Sequence, residues 1–216
     1  MNLFSHRALL LSDTYRRKQK GKPDMEDTKL VQRLKAGDRS AFDALYVTYQ
    51  NTLLRMAYLV CGSMADAEDV VQETFVKCYL HIGELKCDEG FRAWLFRILY
   101  RTAYRWAKKS RREISDEDVY VKADVSCKDA ASDTALDREM QETVRRAVHS
   151  LGFKHRMVVV LYYYNDMPVK EIARVLGTTE GTVKSRLFGA RKKLSESLKR
   201  LEEGGVTYEN TKKTCF

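Results

Sequence analysis

No stretch of this 216-residue chain holds the roughly 18 consecutive apolar residues that a membrane-spanning helix needs. The opening MNLFSHRALLLSD is apolar only in patches, is interrupted by Arg7 and is followed by no small-residue cleavage site, so a secretory leader is not expected. Cysteine is sparse and scattered: the five lie at 61, 78, 87, 127 and 215 with no CxxC pair, and the four histidines never cluster. That argues against a zinc site and a disulfide framework, and points to a reducing, cytoplasmic compartment. What the chain has in excess is positive charge. The formal net charge is +9, unevenly spread, which favours a polyanionic partner.

The densest information lies in PVKEIARVLGTTEGTVKSRLFGARKKL, residues 168–194. Ile172, Ala173 and Leu176 fall at helical spacing, and Pro168 is tolerated at a first turn, where the amide has no helical partner. Gly177 stands where a helix end wants positive φ, and Thr178 or Thr179 can cap a second helix. In that helix Val183, Leu187, Ala190 and Leu194 make one narrow apolar stripe. The opposite side carries Ser185, Phe188, Gly189 and Lys192, flanked by Lys184, Arg186 and Arg191. This is the pattern of a helix-turn-helix whose second helix enters a DNA major groove. Flanking cations suit phosphates, Ser185 can hydrogen-bond a base edge or phosphate, and Phe188 can touch thymine methyls. The competing explanation is a basic helix packed on a neighbour, but that leaves a solvated aromatic on the polar face unexplained.

Further upstream, Leu30, Val31 and Leu34 mark a short helix ending at Gly37, and Ser40 can cap a longer one closed by Cys61-Gly62. The next segment, SMADAEDVVQETFVKCYL, begins with a capping serine and places Ala67, Val71, Thr74, Phe75 and Cys78 inward. Asp66, Asp69, Gln72 and Glu73 lie largely on its other side, which from composition alone is an ordinary solvated face. In FRAWLFRILYRTAYRWAKKSRR, Phe91, Trp94, Leu95, Ile98, Leu99, Thr102, Ala103 and Trp106 form an inward stripe. Arg97, Arg101 and Arg105 repeat every four residues on another face and are extended by Lys108 and Lys109. From Phe91 to Arg112 there are eight basic residues and no acidic one. Like charges at this spacing repel by a few tenths of a kcal/mol per pair, so the row needs a reason, and nucleic-acid phosphates supply one. Tyr100 and Tyr104 interleave with the arginines as surfaces on which an unpaired base can stack.

Residues 113–136 show no helical or strand period and carry seven acidic residues against Lys122 and Lys128. They read as a flexible acidic linker between two basic modules. A helix follows from Thr134 or Asp137, with Met140, Val144, Ala147, Val148 and Leu151 inward. The run RMVVVLYYYND has strand propensity, yet no second strand exists to pair with it, so a buried helix is expected. The chain is thus expected to be all-α: a disordered basic extension over 1–25, a helical bundle over 26–112, the linker, a second bundle over 137–203 and a disordered tail over 204–216.

Taken together, DAEDVVQETF (66–75), FRAWLFRI (91–98) and EIARVLGTTEGTVKSRL (171–187) resemble three motifs of bacterial RNA polymerase sigma factors of the extracytoplasmic-function (ECF) group. The resemblance runs from about 28 to 198 and implies a function: binding core polymerase, recognising and melting promoters, and initiating transcription. Residues 26–112 would be sigma region 2 and 137–203 region 4. The resemblance assigns Asp66, Asp69, Gln72 and Glu73 to core binding. Minus-ten DNA would be held by Arg97, Tyr100, Arg101, Tyr104, Arg105, Lys108 and Lys109. Minus-thirty-five recognition would fall to Thr182, Lys184, Ser185, Arg186, Phe188, Arg191 and Lys192. Arg101 and Arg105 depart from the family's usual residues, and Gly189 replaces one that is often basic. The implied partners are the clamp helices of the largest polymerase subunit, the flap of the second-largest, promoter DNA and an anti-sigma factor. No cofactor, metal, small-molecule substrate or enzymatic reaction is implied.

Two other classes fit less well. A stand-alone helix-turn-helix regulator would need an effector or receiver domain, and residues 26–112 do not read as one. A DNA-acting enzyme would need a serine nucleophile or a metal-binding carboxylate cluster, and the group Asp66, Glu68 and Asp69 has no phosphate-binding element beside it. Met25 directly precedes the first well-formed helix, so Met25 stands beside Met1 as an alternative start of translation. The intact mass of the native protein checks this: a species beginning at Met1 overturns it.

Overall fold

The structure, a computed structural model, describes residues 25–113 and 135–203, with side chains placed over 25–109 and 142–198. Every regular element among them is a helix. The expected N-terminal extension, the acidic linker and the C-terminal tail fall outside the described residues but for their boundary positions.

Helix α1 (Met25–Lys35) buries Val31 and Leu34 and stops at Gly37, whose φ is +93°. Helix α2 (Arg39–Cys61) is capped by Asp38 and not by Ser40. The Asp38 carboxylate accepts the Ser40 amide at 2.9 Å, the Ser40 hydroxyl at 2.7 Å and the Arg33 guanidinium at 2.7 Å. Hydrogen bonds from Ser40 and then Arg33 hold this carboxyl down at about 2. An ionised acceptor at the positive end of a helix makes a stronger cap than a hydroxyl, which is why the aspartate takes the position. Gly62, left-handed at φ 86°, ends α2. Ser63 then caps α3 (Met64–His81), its hydroxyl accepting the Asp66 amide at 3.3 Å. Two 3₁₀ turns, Ile82–Glu84 and Asp88–Gly90, fold the following loop down so that Ile82 and Leu85 are buried. Helix α4 (Phe91–Glu113) completes the first unit.

The apolar stripes of α2, α3 and α4 meet in one core that includes Leu45, Leu53, Met56, Val70, Phe75, Leu95, Leu99 and Ala103. The expected inward set of α3 is fully buried. In α4 the stripe is rotated: Phe96, absent from the expected set, has no exposed surface, whereas Trp94, Ile98 and Trp106 are half-buried. Helix α4 also packs against helices of the second unit.

That unit consists of α5 (Ala135–His149), α6 (Phe153–Val159), α7 (Val169–Leu176) and α8 (Glu180–Glu203). The β-branched run is helical, as expected, with Met157, Val158, Val159, Val160 and Leu161 all buried. Fully burying such side chains gains about 1.5–3 kcal/mol each, which outweighs a helix-propensity deficit of at most about 0.7 kcal/mol per residue. Helix α6 widens into a π turn over Val160–Tyr164. The Asn165 amide donates to the Val160 carbonyl at 3.1 Å and the Met167 N–H to the Leu161 carbonyl at 3.1 Å, so the loosened turn keeps its acceptors satisfied.

One polar stitch joins α3 to α4. Glu73 accepts the Trp106 indole N–H at 3.0 Å and pairs with Lys77 at 2.9 Å and with Arg105. Lys77 in turn donates to the Thr102 hydroxyl at 3.0 Å. Partial burial works to raise the Glu73 carboxyl, but the hydrogen bonds from Trp106, Lys77 and Arg105 outweigh it and bring the group down to about 2, against 4.5 when unperturbed. A carboxyl lowered by folding stabilises the fold above its unfolded value and loses that contribution as pH falls towards its folded value. Glu73→Gln is therefore expected to lower the denaturation midpoint at neutral pH. The gap to the parent should narrow below pH 4.5 and close near pH 2, and denaturant melts of the two proteins across that range check it; a gap independent of pH would overturn the assignment.

Candidate nucleic-acid interface

The helix-turn-helix forms where its spacing places it. Pro168 stands at the N-cap of α7, and Gly177 closes that helix at φ 63°, ψ 43°, a left-handed conformation costly for residues with a Cβ. Thr179 is the side chain that caps α8, accepting the Thr182 amide at 3.2 Å, with the two threonine hydroxyls 2.9 Å apart. Val183, Leu187, Ala190 and Leu194 are buried together, which forces the opposite side of α8 outward. On that side Lys184, Ser185, Phe188 and Lys192 are exposed, and Thr182 and Arg186 are half-exposed at its edge. The Phe188 ring is 73% exposed, the most solvated aromatic among the described residues. Nothing in the fold uses it.

Two residues of this face are changed by their neighbours. Arg191 is not a free cation: its Nε donates to the Tyr163 hydroxyl at 2.8 Å, and its guanidinium lies 5.8 Å from the ring centres of Tyr162 and Tyr163. The π turn presents those rings, so Arg191 is held at a fixed place at the edge of the face. Gly189 faces His155 of α6, whose Nε2 lies 3.2 Å from where a Cβ on residue 189 would sit. The imidazole thus occupies the space of the missing side chain. Burial, then the charges of Lys193 and Arg186, lower the His155 pKa, so the ring stands there neutral at physiological pH.

Helix α4 carries the second basic surface. Arg101, Tyr104, Lys108 and Lys109 are exposed, and Arg97 and Tyr100 are half-buried against the second unit. Tyr100 and Tyr104 lie 6.3 Å apart, tilted at 30°, which leaves two aromatic faces stepped along the helix. Arg105 belongs here only in part, because its guanidinium is paired with Glu73. This ion pair gives its unusual position in the sequence a local reason.

On the outer face of α3, Asp69 and Gln72 are exposed and Asp66 is half-buried in the first turn. Glu73 departs from the expectation: its carboxylate is turned towards α4 and consumed by the stitch described above. The surface around Asp69 and Gln72 instead continues into Val76 and Leu80, which are 52% and 69% exposed. Beside them an open groove of about 1020 Å³ runs between α2 and α3, lined by Phe42, Tyr46, Leu54, Phe75 and Tyr79. Sequence reading had missed Val76, Leu80 and Tyr79. The signal was available, since Asp69, Gln72, Val76 and Leu80 step by three, four and four residues along one outer stripe.

Comparison with known proteins agrees with this geometry. The chain matches the family Sigma-70 region 2 over residues 45–113 and Sigma-70, region 4 over residues 141–194. It is 32% identical to the RNA polymerase sigma-H factor of Pseudomonas aeruginosa, covering 82% of this chain and 95% of that protein. It is 26% identical to the ECF RNA polymerase sigma factor SigW of Bacillus subtilis, over 82% of this chain and all of the relative. The ECF RNA polymerase sigma-E factor of Escherichia coli is 32% identical, over 82% of this chain and 96% of the relative. Among solved structures, CnrH in complex with the cytosolic domain of CnrY superposes with a TM-score of 0.62 at 26% identity, over 81% of this chain and 98% of that one. The sigma factor RpoE in complex with the anti-sigma factor NepR from Bartonella quintana gives 0.60 at 25% identity, over 73% and 96%. Helical architecture, motif order and close relatives of nearly the same extent agree: the chain belongs to the extracytoplasmic-function group of RNA polymerase sigma factors.

Proposed function

We propose that this sigma factor divides promoter recognition between two DNA-facing helices and docks on core RNA polymerase through the outer stripe of α3. Residues 26–112 serve as region 2 and 137–203 as region 4, joined through the acidic segment 113–136. In this reading Asp69 and Gln72 supply polar contacts to the clamp helices of the largest subunit, and Val76 and Leu80 supply apolar area between them. Glu73 acts behind that surface, holding α3 against α4. The exposed edge of α4, with Arg101, Tyr104, Lys108 and Lys109, holds the separated minus-ten strand by phosphate contact and base stacking. Opening duplex costs about 1.4 kcal/mol per step, and stacking a base on an aromatic returns about 1–3 kcal/mol, so two tyrosines offset a few opened steps. Arg97 and Tyr100 extend this surface towards the second unit.

Helix α8 enters the major groove of the minus-thirty-five element, with Lys184, Arg186 and Lys192 on phosphates and Ser185 and Phe188 at base edges. Thr182, in the first turn of the helix, lies beside the DNA backbone, and Arg191 is aimed by Tyr163. The observation that carries this reading is the exposed Phe188 ring on a cationic helix, for which folding gives no reason. No catalytic reaction is assigned to the chain, which works in the cytoplasm with core polymerase and the flap of its second-largest subunit. The two solved neighbours are complexes, one of them with an anti-sigma factor by name, and the same class of inhibitor is proposed here. Among the described residues no helix is long and apolar enough to cross a membrane.

Transcription from genomic fragments by core polymerase with and without the purified chain tests the reading as a whole, and absence of sigma-dependent start sites would end it. Within that assay, Phe188→Ala should narrow the difference between preferred and mismatched minus-thirty-five sequences by about 1–3 kcal/mol. Lys184→Ala should instead weaken binding on all sequences and reduce the salt slope by about one. Unchanged sequence preference in the first variant, or an unchanged slope in the second, would remove that residue from the contact.

A further inference from the structure

Helix α6 places a titratable side chain on the edge of the DNA-facing side of α8. His155 lies half-exposed over Gly189, its Nε2 3.2 Å from where a Cβ on that residue would sit. A side chain at 189 would crowd the ring, so the glycine is what lets the imidazole lie on the helix. Gly189 directly follows the exposed Phe188 and stands one turn beyond Ser185, the two residues placed at base edges. Arg191 comes two residues later, about 200° further round the helix, and so occupies the other edge. There the Tyr163 hydroxyl holds it. Each edge of α8 is thus finished from the segment before the helix-turn-helix, one by the phenols of the π turn and the other by an imidazole.

The surroundings of the ring are cationic. Burial, then Lys193 and Arg186 of α8, hold its pKa below the ordinary imidazole value. Those two cations stand four residues after and three before Gly189, so they bracket the ring along the helix. On α6 itself Lys154 and Arg156 are its neighbours. Arg156 turns to His149 of α5, and on the α4 side Tyr100 and Tyr104 pack on Phe153. Among the described residues neither nitrogen of His155 has a hydrogen-bond partner. A ring that only covered a glycine would need neither nitrogen. Folding instead leaves one donor and one acceptor unused, in a positive field, beside the residues that face DNA. An anion brought to this edge reverses the balance. An opposite charge within about 4–6 Å shifts a titratable group's pKa by about one to three towards its charged form. The protonated imidazole then offers two N–H donors in place of one.

We propose that His155 is a further DNA-contacting residue: seated over Gly189 between Arg186 and Lys193, its imidazole binds a backbone phosphate of the minus-thirty-five element and takes up one proton from solvent as it does so. The contact rests on the placing of α8 in the major groove. A phosphate is the partner, and not a base edge, because the two flanking cations make a field that favours charge over any one base. The ring is neutral in the free chain and so adds nothing to the repulsion among the cations of α8. It becomes a cation only when the polyanion arrives. The sign of the pH dependence follows: the complex draws extra affinity below the free ring's pKa and loses it as pH rises through the bound ring's.

The test measures binding of core polymerase carrying the full chain to a duplex promoter fragment that supports a sigma-dependent start site. The parent is compared with His155→Gln, His155→Lys and Lys184→Ala from about pH 6 to about pH 8, a span in which an imidazole titrates. The affinity of the parent relative to His155→Gln is expected to be near equality at the upper end and about tenfold higher at the lower, the gain for a pKa raised by about one on binding. The salt slope of the parent should exceed that of His155→Gln by about 0.9 at the lower end, one further phosphate neutralised, and match it at the upper. His155→Lys, charged throughout, should keep the higher affinity across the range. A loss in His155→Gln that is the same at every pH makes the ring packing alone and overturns the contact. A loss confined to particular minus-thirty-five sequences puts the ring on a base and overturns the phosphate assignment. Lys184→Ala separates this failure from failure of the α8 reading. If it weakens binding while His155→Gln changes nothing, the His155 contact alone falls; if neither variant matters, α8 is not in the groove and both fall.

Discussion

A helix bearing eight cations and no anion between Phe91 and Arg112 repels itself, and the first unit is arranged to hold that helix in place. Each like-charged pair one turn apart costs a few tenths of a kcal/mol. Against this, Phe91, Leu95, Phe96 and Leu99 are almost completely buried on the other side, and side chains of that size gain about 1.5–3 kcal/mol each on burial. Packing therefore exceeds repulsion severalfold, and the charge can remain. Glu73 relieves it at Arg105. Arg101 and Lys108 remain exposed on its outer side, and α8 repeats the scheme with a narrower apolar stripe and a basic outer side.

The departures from the family's usual residues become intelligible at this level. Arg105 belongs to an internal ion pair, so its first role is to fix α3 on α4. At Gly189 the place of a side chain is taken by His155 of a neighbouring helix, so an imidazole brought from elsewhere in the chain stands at the α8 edge. Arg191, conversely, matches the usual residue but is constrained by Tyr163. A motif records which residue stands at a position and is silent about what neighbours do with it.

Much of the fold was legible because it rests on local rules. The stripes of α3 and α8, the glycine ends at Gly62 and Gly177, and the Ser63 cap follow from periodicity and turn chemistry. The helical state of 157–161 followed from topology, since an unpartnered strand has no place to put its amides. What was missed depends on distant partners. Asp38 displaced Ser40 as a cap because Arg33 reinforces it from the preceding helix. Phe96 was left out of the core although it has no exposed surface, because α4 packs against more than one neighbour. Glu73 was placed outward with its neighbours, yet Trp106, 33 residues away, turns it in. The contacts between the two units were invisible for a further reason: Arg92 donates to the Asn165 carbonyl and Arg156 to the Val60 carbonyl, backbone atoms that every residue possesses.

The Glu73 stitch has a mechanical consequence. Because it ties Lys77, Trp106 and Arg105 across two helices, α3 and α4 cannot swivel independently, and they behave as the two arms of a rigid bracket. Whatever grips one arm sets the angle of the other. In the proposed function, the spacing between the surface that docks on polymerase and the bases being unpaired is then set inside this chain, like a jig that sets the cut before the blade arrives.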